Sequence, residues 1–118
     1  MVLRRRLAAA LPLAVGIALA AAPQSALADV IDGDWCAAGQ HLSIKGPEIV
    51  TPAGNRLAGN YSRHFFSYVV PPAEPQPGDM VAMSLINENT VHLRRGADAT
   101  AASQAAPQTW LRCAPPVS

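Results

Sequence analysis

Few residues in this chain have the types and spacing that chemistry needs. Two cysteines, Cys36 and Cys113, stand 77 positions apart, Trp35 directly before the first in "GDWC" and Trp110 three residues before the second in "TWLRC". A redox pair would more often show C-x-x-C spacing, and a zinc site needs four ligands, usually two of them close in sequence. Neither pattern is present. Three histidines, His41, His64 and His92, would form a copper or zinc site only if their strands were neighbours, since imidazole suits both ions. They lack ligand spacing, so no metal and no cofactor is expected. In "SRHFFSY", Arg63, His64 and Phe65 could grip an anionic or aromatic ligand, and they form the candidate binding surface. Glu88 has no partner carboxylate, and no serine lies in a G-x-S-x-G nucleophile motif. The expectation is a protein that is not an enzyme.

The first segment bears on where such residues would work. Arg4, Arg5 and Arg6 precede an apolar run of about 16 residues interrupted by Pro12 and Gly16, closed by Ala26-Leu27-Ala28. That is the layout of a secretory signal peptide. The run is shorter than the roughly 20 apolar residues a spanning helix needs. Cleavage after Ala28 is expected, leaving no stable membrane anchor and a periplasmic or secreted domain, Asp29–Ser118. This portion has six basic and eight acidic side chains, net −2. A nucleic-acid binder would show a basic stripe, and only Arg94-Arg95 comes near one, so no nucleic acid is expected.

Ninety residues make a marginal domain. Export places the two cysteines in an oxidising compartment, and they allow one connectivity within the chain. A Cys36–Cys113 bridge closes a loop long enough to contribute roughly 4–5 kcal/mol in the chain-entropy picture. The reading is a clasp between the first and last strands.

The elements between the cysteines read as β. "HLSIKG" alternates and stops at Gly46-Pro47. "EIVTPAGN" is a short run, and "RLAGNYSRHFFSYVV" is the longest, with a turn or bulge at Gly59-Asn60. "PPAEPQPG" at 71–78 is a connector, because proline offers no N–H to a ladder. "DMVAMSLI" and "VHLRR" flank the tight turn "NENT". The segment 96–108 is rich in small residues and reads as a mobile loop like 71–78, with room for one helical turn. Six to seven short strands argue for an all-β antiparallel meander closed as a small barrel or sandwich, a closure that removes sheet edges. The candidate core is Trp35, Leu42, Ile44, Ile49, Leu57, Tyr61, Phe66, Tyr68, Val81, Met83, Leu85, Val91, Leu93 and Leu111. Phe65 and Phe66 must face opposite ways.

The order of Gly33-Asp34-Trp35, Gly59-Asn60-Tyr61 and Arg112 in the last strand resembles small exported lipocalin-like bacterial β-barrel domains of unassigned function, over about 80 residues. The resemblance implies a barrel and transfers no catalytic residues. Three functions are open: a binding module for an unknown envelope protein or small ligand, an inhibitor of an envelope hydrolase, and a small-ligand carrier. A charged ordered loop would favour the inhibitor, a cavity of several hundred Å3 the carrier, and an exposed aromatic patch the binding module.

Overall fold

The computed structural model describes residues 30–114; the expected leader, residues 1–28, lies outside the described residues. The described chain is one antiparallel sheet of nine strands: β1 (Gly33–Ala37), β2 (Gln40–Lys45), β3 (Glu48–Val50), β4 (Arg56–Ala58), β5 (Asn60–Ser62), β6 (Phe65–Val69), β7 (Met80–Asn87), β8 (Thr90–Gly96) and β9 (Gln108–Arg112). The count exceeds the expected six to seven. The long run 56–70 divides into β4, β5 and β6, and its second break is the turn at Arg63-His64, which carries no glycine or proline to mark it.

The ladder order is β4-β3-β2-β1-β9-β8-β7-β6-β5. Consecutive strands are neighbours, and β1 meets β9, with Trp35 opposite Arg112 and Cys36 opposite Leu111. The two ends of the ladder, β4 and β5, are joined in the chain by Gly59 alone, whose N–H donates to Pro47 O at 2.8 Å. The stretch 56–62 therefore pairs with β3 through its first half and with β6 through its second, and the sheet is a nearly closed barrel. Gly59 has to be small: a Cβ there would meet the Ser67 carbonyl oxygen and come within 2.6 Å of the Phe66 ring.

Alternation decides what fills the barrel. Trp35, Leu42, Ile44, Ile49, Phe66, Tyr68, Val81, Met83, Val91 and Trp110 point inward and form one core with Ile31 and Val70. Phe66 is fully buried and Phe65 lies outside at 39 % exposure. Two expected core residues are corrected: Tyr61 is exposed and Leu111 is 54 % exposed, while its neighbour Trp110 takes the inward position. In β9 the phase of alternation that buries Trp110 turns Leu111 out.

Cys36 and Cys113 are joined, with Cα atoms 5.1 Å apart, on the outer side of the β1–β9 seam. Each tryptophan faces inward, away from the bridge. The β8–β9 connector, expected to be a loop, holds a short helix, α1 (Ala99–Gln104), whose Asp98 cap accepts the Ala101 N–H at 2.8 Å. Ala102 of α1 is buried.

Candidate functional site

The direction of the strands separates the barrel into two ends of different character. At one end lie the residues that lead into β1 and those that finish β9. Ile31 is fully buried and its N–H donates to Arg63 O at 2.8 Å. The Trp35 indole N–H donates to Ile31 O at 2.8 Å. Arg112 then crosses this end. Its Nε donates to Glu88 O at 2.5 Å, Nη1 to Asp32 O at 2.8 Å and Nη2 to Val30 O at 2.8 Å. Its guanidinium carbon stands 4.4 Å from the Trp35 ring centroid, a cation–π arrangement. Partial burial holds the Arg112 pKa below its ordinary value, opposed by Glu88 and Asp32. Asp32 also accepts from Gly46 N at 2.8 Å and from the Tyr61 hydroxyl. The hydrogen bond to Asp32 is the chief reason the Tyr61 pKa is raised. This end is plugged.

The opposite end is a mouth. Four connections meet there: the β1–β2 turn, the β3–β4 loop, the proline-rich 71–78 loop, and the β8–β9 connector with α1. They surround a cavity of about 510 Å3. Tyr68, Val81, Leu93 and Trp110 line it from within the barrel, and Pro52, Ala53, Pro75 and Ala106 from its rim.

The rim is tied across. Glu74, in the proline-rich loop, is buried; its Oε2 accepts from the Thr51 hydroxyl at 2.5 Å and from Asn55 Nδ2 at 2.8 Å. These donors replace the water that burial removes from the carboxylate. The loop's base is closed by Val70 N to Asp79 O at 2.8 Å and Gly78 N to Val70 O at 2.9 Å. From β8, Arg95 donates through Nε to Asp79 Oδ2 at 3.1 Å and through Nη2 to Pro75 O at 2.9 Å. Arg94, on the other face of β8, donates to Ala105 O at 2.5 Å and holds the β8–β9 connector.

Tyr68 and Gln108 line the cavity from the barrel wall, and Gln40 and Gln76 add polar groups to the lining. Gln108 accepts the Trp110 indole N–H through Oε1 at 2.9 Å, which leaves its amide N–H groups as donors. Tyr68 is buried, and its hydroxyl has no hydrogen-bond partner among the described residues. Its pKa is pushed up to about 12, first by burial and then by Glu74, with Arg95 acting the other way.

The residues singled out from the sequence lie elsewhere. Arg63 and His64 form the β5–β6 turn at the plugged end, and their carbonyls accept from Ile31 N and Leu85 N. Phe65 follows on the outer wall, opposite Ser84. The structure keeps these three in one exposed patch, away from the mouth. The histidines are dispersed: His41 is on β2, 3.0 Å from Asp34, His64 is in its turn and His92 is in β8 opposite Thr109. Among the described residues, no three His, Cys, Asp or Glu side chains gather as metal ligands would. The mouth has no trace in the sequence because its residues come from seven separate stretches, and a lone Tyr or Gln in a strand carries no signature. Comparison with protein-family models, with curated proteins and with solved structures finds no match for this chain.

Proposed function

We propose that the chain is an exported, non-enzymatic barrel that binds a small ligand in its mouth. The carrying observation is the asymmetry of the barrel. One end is plugged by Ile31, Trp35 and Arg112, and the other opens on a cavity of about 510 Å3 floored by inward-facing core residues. That volume lies in the ~300–1,000 Å3 range of small-molecule sites, which combine apolar walls with a few placed polar groups.

The non-enzymatic part rests on the sequence, where no serine lies in a nucleophile motif such as G-x-S-x-G. No serine, threonine, cysteine or histidine lines the cavity among the described residues. The Thr51 hydroxyl nearby is committed to Glu74. The disulfide fits an oxidising compartment. No helix among the described residues is long and apolar enough to cross a membrane. The inhibitor reading gains nothing from the proline-rich loop, whose one carboxylate is turned inward.

The test is amide NMR of the disulfide-bonded protein titrated with a panel of small apolar compounds. Saturable shifts centred on Tyr68, Val81, Leu93, Gln108 and Trp110 are expected. Shifts that gather instead around Arg63, His64 and Phe65, or no saturable shifts at all, would remove the mouth as the site.

A further inference from the structure

We infer that the ligand of the mouth is a molecule without an anionic head, with an apolar body and a carbonyl-type acceptor, which the Tyr68 hydroxyl recognises. The inference rests on the mouth-site reading and adds the chemistry of the occupant.

Glu74 and Arg95 both line the cavity and are of opposite sign. Arg95 is matched by Asp79 and also donates to the Pro75 carbonyl, whereas Glu74 is held by the neutral donors of Thr51 and Asn55. An anionic head entering here would therefore meet the buried Glu74 carboxylate and find no unmatched cation, and desolvating a charged head without a counter-charge is costly. A neutral head avoids that penalty.

Of the remaining polar residues in the lining, Gln40, Gln76 and Gln108 are exposed and Tyr68 is buried. A buried hydroxyl usually has a partner, because leaving the bond unmade costs about 1–3 kcal/mol. The Tyr68 hydroxyl has none among the described residues, and Tyr68 lines the open cavity, so a group entering there can supply one. With its pKa pushed up to about 12 the Tyr68 hydroxyl remains protonated at any physiological pH. A phenol held in that state serves an incoming acceptor as a donor. The Gln108 amide, on β9 and so three strands from Tyr68 on β6, supplies further N–H donors to the same cavity, since its oxygen is occupied by Trp110. A carbonyl oxygen accepts from donors of either kind. Gln40 and Gln76 also line the cavity, and the apolar part of the lining, Val81, Leu93, Pro52, Ala53 and Ala106, suits a hydrocarbon body.

The experiment uses three probes of nearly equal size: acetophenone, which is neutral with a carbonyl, ethylbenzene, which has none, and benzoate, which is anionic. Each is titrated into the disulfide-bonded protein and into Tyr68→Phe, with affinities read from the amide shifts of Val81, Leu93 and the Trp110 indole. The free variant should keep the wild-type positions of those resonances, because the deleted hydroxyl bonds to nothing in the described chain. Acetophenone should bind about tenfold more weakly to Tyr68→Phe, the loss expected for one buried hydrogen bond. Ethylbenzene should bind the variant as well as, or better than, the wild type. Benzoate should be the weaker of the two oxygenated probes in both proteins. An acetophenone affinity unchanged by Tyr68→Phe, or a benzoate preference, would overturn the assignment while leaving the mouth as a binding site. If none of the three moves the mouth resonances, the assignment and the mouth-site reading fall together.

Discussion

Arg112 crosses the plugged end of the barrel, and Arg112→Lys is the sharpest perturbation of it. The charge is kept, so the change isolates geometry. The guanidinium serves three carbonyls, of Glu88, Asp32 and Val30, through three different nitrogens while stacking on Trp35. A lysine ammonium is a point donor on a flexible stem and cannot hold this arrangement. A hydrogen bond to a charged group contributes roughly 1.5–3 kcal/mol net, and the stacking about 0.5–2 kcal/mol. Losing two of the three bonds would cost roughly 3–6 kcal/mol. The Glu88 carbonyl, at a surface turn, can recover water, and the ammonium is easier to resolvate, so about 2–4 kcal/mol remains. For a domain of this size that lowers Tm by roughly 10–25 °C. Gly33 offers an internal control. Its φ is +126°, and a Cβ there would lie 2.6 Å from Arg112 Nη1. Gly33→Ala is therefore strained by its backbone and clashes with the guanidinium. Only the clash is relieved when residue 112 is lysine. A double-mutant cycle by urea denaturation, followed by Trp35 and Trp110 fluorescence, should give a coupling of about 1 kcal/mol, within the usual range for touching residues. An Arg112→Lys loss under about 0.5 kcal/mol, or strict additivity with Gly33→Ala, would refute the account of the plugged end.

Two further outcomes follow from the clasp and the buried phenol. Cys113→Ser should cost about 2–5 kcal/mol, and the native protein should show no titratable thiol; a melting temperature insensitive to reductant would contradict this. Tyr68 has its folded pKa raised to about 12 from an ordinary value near 10. The folded state thus holds its proton where the unfolded chain has released it. The contribution is fully present below pH 10 and is lost as pH rises from about 10 through 12. Tyr68→Phe should flatten that part of the stability–pH curve relative to wild type while leaving stability at pH 7 unchanged or slightly higher. In Tyr61→Phe, where Tyr68 is the one remaining tyrosine, spectrophotometric titration should find the phenol ionising well above pH 10.

The sequence by itself determined the fold class, the clasp and most of the core. Period-two alternation in "HLSIK" and "DMVAMSL" reports which side chains share a face, and that information is local. The two cysteines had a single way to pair within the chain, so no geometry was needed. Three things required the tertiary structure. Strand count depended on the break at Arg63-His64, a turn set by the register of β5 against β6 rather than by turn-forming residues. The phase of β9 depended on its pairing with β1 and β8, since "TWLRC" alternates equally well with Trp110 or Leu111 inward. The mouth depended on closure. Tyr68, Glu74, Arg95 and Gln108 come from four parts of the chain and meet because the barrel brings its ends around, with Thr51 and Asn55 turning Glu74 inward. The patch at Arg63, His64 and Phe65 attracted attention in the sequence because its residues are contiguous. A site assembled from the ends of several strands has no contiguous trace, and a pattern of period two cannot tell which end of a barrel is filled and which is left open.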